Sequence, residues 1–168
     1  MNKTIDDLLA EAAVRDLHAR YCRAVDRMDF DLLRSCFHPD AVAEYGFFVG
    51  GVDAFVAMAK DSLAAYTGTT HFIGNQLVEV DGDSAWAEHY TQATHHYAAD
   101  AEGPERDYVT LIRYVDRAER RAGDWRLVRR VLILDSGRTD PVLDIGPKPR
   151  AQRGRRDPTD ASYALRRD

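Results

Sequence analysis

The chain is poor in cysteine, with Cys22 and Cys36 its only two. Both fall in helical patterns without metal-site or redox spacing, so buried free thiols are expected. No run of about 18 apolar residues occurs, so no transmembrane helix and no membrane partner are expected. The opening Met1-Asn2-Lys3-Thr4-Ile5-Asp6-Asp7 lacks the basic patch and apolar stretch of a signal peptide. A cytoplasmic location is therefore the expectation. No Gly-rich phosphate loop is present, so no nucleotide cofactor is expected.

What is present is an ordinary globular composition, 45% hydrophobic and 30% charged in 168 residues, enough for one domain with a real core. The net charge of -5 is unevenly spread. Residues 137–168 hold eight Lys/Arg against five Asp, while the remainder holds 15 basic against 23 acidic residues. An acidic body argues against nucleic acid as a partner. The chain divides into a domain over 1–136 and an irregular basic tail over 137–168, in which Ser162-Tyr163-Ala164-Leu165 is a candidate anchor.

Periodicity predicts a long amphipathic helix over 4–28, with Ile5, Leu8, Leu9, Ala12, Ala13, Leu17 and Tyr21 on its apolar side. A short helix over 30–37 follows, capped by Asp29 and stopped by His38-Pro39-Asp40. Residues 41–49 read as a strand, Gly50-Gly51 as a turn, and Asp53 as the cap of a helix running to about Ala65. The period then changes to two, predicting strands at 69–80, 84–98, 107–119 and 125–136. Helices followed by a strand meander imply an α+β fold with an antiparallel sheet curved around the helices, its concave side forming a pocket.

Several residues do not suit a bland core. Asp26 lies 18 residues, or five whole turns, from Leu8 and about 40° from Cys22 and Ala12. It is either a paired carboxylate on the inward face or a surface residue past a frayed helix end. His71 runs in phase with Ile73, Asn75 and Leu77, as a structural histidine or a catalytic one. On 84–98 the odd positions Ala85, Ala87, His89, Thr91, Ala93, His95 and Tyr97 alternate small residues with histidines. That face either lines a ligand pocket or is a solvated strand. Tyr21 and Tyr45 either pack or place a hydroxyl in the pocket. His89 and His95 lie six residues apart, about 20 Å along a strand, so they cannot share one metal ion, and no metal site is expected.

Four segments together resemble scytalone dehydratase and the broader SnoaL-like enzymes of the nuclear-transport-factor-2-like superfamily. These are Val25-Asp26-Arg27-Met28-Asp29-Phe30-Asp31, Ala43-Glu44-Tyr45-Gly46-Phe47, His71-Phe72-Ile73-Gly74, and the pair His89 and His95. The turn Gly123-Asp124-Trp125-Arg126-Leu127 is also similar, and the resemblance spans about residues 8–136. It implies a cone-shaped α+β barrel and a cofactor-independent lyase, most simply a dehydratase acting on a small cyclic, polyketide-like or steroid-like hydroxy-carbonyl compound. His71 would be the general base, Asp26 its orienting carboxylate, Tyr45 the polariser of a carbonyl, and His95 the acid for the leaving hydroxyl. Tyr21, His89, Asn75, Phe47, Phe55, Met58 and Phe72 would contact substrate. One departure is Val25, where scytalone dehydratase has a second tyrosine; Tyr21 fits the pattern of bile-acid dehydratases instead. Isomerisation, cyclisation and dehalogenation begin with the same proton abstraction. A non-catalytic small-ligand-binding or oxygenase-subunit-like module is the alternative. A homodimer or homotrimer is expected, through an outer sheet face bearing Trp86, Tyr90 and Val128 or Leu132.

Overall fold

A computed structural model describes residues 3–142 and 154–164. Its elements run α1 (Ile5–Arg27), α2 (Phe30–Ser35), β1 (Phe37–Glu44), β2 (Val49–Gly51), α3 (Val52–Ala64), β3 (Gly68–Asp81), β4 (Ser84–Tyr97), β5 (Arg106–Arg121), β6 (Asp124–Pro141) and α4 (Ala161–Ala164). The strands form one curved, unclosed six-stranded sheet in the order β2-β1-β6-β5-β4-β3. All pairings are antiparallel except that of β1 with β6, which is parallel and departs from the wholly antiparallel sheet expected.

The start of α1 is fixed by a capping box. Thr4 Oγ1 accepts from the Asp7 N–H at 3.1 Å, and an Asp7 carboxylate oxygen accepts from the Thr4 N–H at 2.8 Å. Its end is set by Met28 in the left-handed region at φ 52°, after which Asp29 caps α2 through the Leu32 N–H at 3.0 Å. The buried face of α1 comprises Ala10, Val14, Leu17, His18, Tyr21, Cys22, Ala24 and Val25. This departs from the periodic reading at the first turns, where Ile5, Leu8 and Leu9 are exposed. Both cysteines are buried and free, and burial raises the Cys22 thiol to about 12 and the Cys36 thiol to about 11.

Other boundaries move for local reasons. His38-Pro39 starts the pairing of β1 rather than merely ending α2. The chain reverses at Tyr45–Phe48, with Gly46 at φ 72°, so Gly50 and Gly51 pair with Ala43 and Val42 instead of turning. Gly51, not Asp53, caps α3. The last strand continues past Ser136 to Pro141 opposite Arg106, so the sheet extends into the segment expected to be irregular. Residues 154–164 dock against the end of α1: Arg23 reaches Ser162 at 3.2 Å and lies over the Tyr163 ring, and Arg27 approaches Asp160 at 3.5 Å. Leu165, the rest of the expected anchor, lies outside the described residues, as do most of the tail's basic positions.

Two irregularities control what faces inward. In β3, His71 opposes Ala93 and Ile73 opposes Thr91, but the next partner of His89 is Gln76. Two residues, Gly74 and Asn75, thus oppose Tyr90 alone, and this bulge changes the phase of the strand. Asn75 and Leu77 turn outward and Gln76, Val78 and Val80 turn in. In β6 a register shift opposite Arg117 and Ala118 moves the inward set from Trp125 and Leu127 to Arg130, Leu132 and Leu134. Leu132 therefore belongs to the concave side, not to the outer face where it was expected.

Candidate active site

The concave side encloses a cavity of about 530 Å³ between α1, α3 and the sheet. Its walls are apolar over most of their extent, with Val25, Phe55, Met58, Leu63, Ile112 and Leu134 among them. Polar groups converge on it at a few points: His71 from β3, His95 from β4, Tyr21 from α1, Tyr45 and Tyr66 from two connections, and Tyr108 and Tyr114 from β5. A mostly apolar cavity with few polar groups is the usual form of a small-molecule site.

Asp26 sits on the penultimate residue of α1, at the edge of the buried face. One carboxylate oxygen accepts the His71 backbone N–H at 3.0 Å. The other lies 2.7 Å from His71 Nδ1. The two side chains are 13% and 5% exposed, so the pair is shielded without being sealed. Because Nδ1 is engaged by a carboxylate, it carries the proton, and the unprotonated nitrogen is Nε2. His71 itself lines the cavity on one side, and with Asp26 it lines a shallower hollow on the other.

His95 lies across from this pair, its ring centroid 5.7 Å from that of His71 in an edge-on arrangement and 4.6 Å from that of Tyr66. Burial, reinforced by the nearby His71, lowers it to about 4. It is therefore neutral at neutral pH. Tyr45 and Tyr21 make a close hydroxyl–hydroxyl contact at another part of the wall. Burial raises both phenols above their ordinary value. Tyr21 reaches the cavity beside Val25, one turn along α1, whereas Asp26 lies round the helix and reaches it only through His71.

The expected substrate contacts divide. Phe55, Met58 and the mostly exposed Phe47 line the cavity. Phe72 does not; it is 70% exposed beside the outer hollow, because it alternates with His71 on the strand. Asn75 is turned out by the bulge. His89 faces inward as expected but is fully buried below the cavity, bonded to Thr91 Oγ1 at 3.0 Å and 3.3 Å from Arg130 Nη2. His96 points outward to Asp107 at 2.5 Å.

Sequence reasoning missed Tyr66, Tyr108 and Tyr114 in the wall, although the period-two phase of β5 through Tyr108, Thr110, Ile112 and Tyr114 would have found the last two. It also missed a buried cluster of His18, His89, Asp116 and Arg130. The first three could hold a metal ion by spacing, their nearest ligand atoms lying within 4.8 Å of one another. However, Arg130 already makes two bonds to Asp116, at 2.7 and 2.6 Å, and supplies the positive charge there. From the tail, Arg156 bonds the carbonyls of Leu63 and Tyr66 at 3.1 and 2.6 Å, placing a cation at the C-terminal end of α3.

Comparison with known proteins agrees with this architecture. Two curated relatives, the uncharacterized protein Rv2910c of Mycobacterium tuberculosis and the uncharacterized protein Mb2934c of Mycobacterium bovis, are each 32% identical over 124 residues, covering 70% of this chain and 80% of theirs. Among solved structures, a hexachlorocyclohexane dehydrochlorinase (LinA) of type 2 superposes with TM-score 0.75 at 21% identity, covering 86% of this chain and 98% of its own. A candidate scytalone dehydratase from Novosphingobium aromaticivorans DSM 12444 gives 0.72 at 24%, covering 89% and 100%. Both are likenesses of fold. The sequence profile of the SnoaL-like domain matches residues 6–131, three quarters of the chain, and the chain therefore belongs to the SnoaL-like family of the nuclear-transport-factor-2-like superfamily.

Proposed function

We propose that the protein is a cofactor-independent acid–base lyase, in the first instance a dehydratase of a small cyclic hydroxy-carbonyl compound. The observation that carries this reading is the 2.7 Å contact of Asp26 with His71 Nδ1 on the wall of a mostly apolar cavity. His71 Nε2 takes the proton from the carbon next to the carbonyl. The imidazolium formed is stabilised by the Asp26 carboxylate already in place, so no reorganisation accompanies the step. The Tyr21–Tyr45 hydroxyl pair receives the developing enolate oxygen. His95, neutral at working pH, offers an N–H hydrogen bond to the departing hydroxyl rather than a standing imidazolium. The proton gained by His71 balances the one that the hydroxide needs to leave as water.

Fold relatives whose names include a dehydrochlorinase and a candidate scytalone dehydratase support an elimination, because both reactions remove a proton and a leaving group from adjacent carbons. The outer sheet face, with Trp86, Tyr90, Leu77 and Leu111 exposed, supports assembly of copies of the chain. The test of the activity is solvent-deuterium exchange at the carbon beside the carbonyl in a panel of cyclic hydroxy-ketones, followed by proton NMR. Exchange and loss of water that vanish in His71→Ala are expected. Exchange that persists unchanged in His71→Ala, or is absent from the whole panel, sinks the lyase reading in favour of a binding module.

A further inference from the structure

Behind the tyrosine wall lies an ion pair that the proposed chemistry does not use. Arg130 and Asp116 are both fully buried, and neither lines the cavity. Asp116 accepts from Arg130 Nε at 2.7 Å and from Nη2 at 2.6 Å, a fork that fixes the guanidinium plane. The Oδ2 that accepts from Nη2 also lies 3.2 Å from His18 Nε2. On the opposite side, the guanidinium carbon lies 4.0 Å from the centre of the Tyr21 ring and 4.2 Å from that of Tyr114. Arg130 Nη1 is buried and has no hydrogen-bond partner among the described residues.

A pair of this kind is costly to bury, and apolar residues of similar volume commonly serve a core as well. What apolar residues cannot supply is direction. From the cavity inward come the tyrosine rings, the guanidinium, and then the carboxylate with His18, while His89 lies beside the guanidinium, 3.3 Å from Arg130 Nη2 and with its ring 5.1 Å from that of Tyr114. The pair is neutral in sum but turns its positive end toward the cavity. The hydroxyls of Tyr21 and Tyr45 hold two protons between them, and one is engaged in their mutual contact. The Tyr114 hydroxyl, within side-chain hydrogen-bond reach of Tyr21, adds a third proton and a second contact, so one proton is still left for a ligand oxygen.

We propose that Arg130, clamped from behind by Asp116, is a positioning residue that makes the Tyr21–Tyr45 hydroxyl pair an oxyanion site, one that takes the oxygen of an enolate or phenolate in preference to a neutral carbonyl or phenol. This rests on the reading of the cavity as a proton-abstraction site and specifies the substrate's other end. Burial raises the phenols of Tyr21, Tyr45 and Tyr114, and the charge of Arg130 acts on all three in the opposite direction, as an anion-stabilising field would.

The probe is 4-nitrophenol, whose phenolate absorbs at longer wavelength than the phenol, so the ionised fraction of the bound form is read directly against pH. Wild type is expected to bind the phenolate in preference to the phenol. Arg130→Met combined with Asp116→Leu removes both charges together, and in folded protein it should reduce that preference tenfold or more. Tyr21→Phe and Tyr45→Phe, each deleting one oxygen from a packed ring, should do the same, which keeps the test decisive even if the double variant does not fold. Glu79→Gln, exposed on the outer face of β3, should keep the preference. An unchanged preference in the folded double variant or in both tyrosine variants, loss of it in Glu79→Gln, or none in wild type overturns the proposal. Failure of the lyase reading is distinguishable: proton exchange is then absent while the phenolate preference stands.

Discussion

Asp26→Asn is the sharpest perturbation of the candidate site, because it changes charge and donor pattern with almost no change of shape. In the native pair both carboxylate oxygens accept, one from the His71 backbone N–H at 3.0 Å and one from Nδ1 at 2.7 Å. An amide has one accepting oxygen and one donating nitrogen. If its oxygen stays with the backbone N–H, its NH2 meets Nδ1, which must then present a lone pair. The ring proton moves to Nε2, and that nitrogen can no longer accept one. The flipped amide would set two donors face to face, costing about 1–3 kcal/mol, so the first arrangement wins. Loss of the charge-assisted bond to the imidazolium costs about 1.5–3 kcal/mol. Inverting a catalytic histidine's tautomer costs up to about 10⁴-fold in rate. The variant should therefore fold, losing roughly 1 kcal/mol of stability, while proton exchange falls by about 10³-fold. Nitrogen-15 NMR of the ring reads the tautomer without any substrate: wild type should show Nδ1 protonated and Asp26→Asn should show Nε2 protonated. A variant within threefold of wild-type exchange, or with an unchanged tautomer, refutes the dyad.

Three further outcomes follow from the geometry. His95 is lowered to about 4 by burial first and by His71 second, so the unfolded chain, with an ordinary value near 6.5, binds more protons between those limits. This stability is complete above the unfolded value and is lost as pH falls. Between pH 7 and 5 it amounts to about 2 kcal/mol. Urea unfolding at the two pH values should show His95→Gln less pH-sensitive than wild type, and an equal slope would mean that the ring is not desolvated. Ala93 is the register partner of His71 and lines the cavity at 1% exposure, so Ala93→Phe should fill open space. Nitrophenol binding measured by calorimetry should weaken at least tenfold while Tm changes little; unimpaired binding would place the ligand elsewhere. Trp86 and Tyr90 are 39% and 49% exposed on the outer face. Light scattering should report an oligomer for wild type and a smaller species for Trp86→Glu with Tyr90→Glu, whereas a wild-type monomer ends the assembly proposal.

The legible parts of this molecule are those where one local rule acts alone. Strand periodicity held over β4, which carries no extra residue of its own, and so Ala85 through Ala93 faced as the alternation required. In β3 the same rule failed after Ile73. The bulge at Gly74 and Asn75 exchanges the faces of the remaining residues, and it brings Gln76 inward to within 3.0 Å of His18 Nδ1. Gly74 is the one local sign of it, since glycine within a strand often marks such a site. Asp26 could be singled out because a carboxylate near an apolar helix face requires a partner. That its partner is His71, 45 residues away, was implied by the family resemblance alone, since no local rule links the two before the curved sheet brings them together.

The remaining half of the site was hidden for a different reason. Arg130 reads as one of several arginines on a strand whose neighbour Arg129 is indeed exposed and paired with Glu44 at 3.0 Å. Only the register shift in β6 sends Arg130 inward, and only Asp116 on the next strand makes its burial tolerable. A buried charge has no periodic signature of its own, since its position is stable only once the partner strand is in register. The base end of the cavity is thus encoded by residue type at the end of a helix. The electrostatics of its far end are encoded by strand irregularities, and a one-residue deletion at Val128 or Arg129 should abolish the second while leaving Asp26 and His71 in contact.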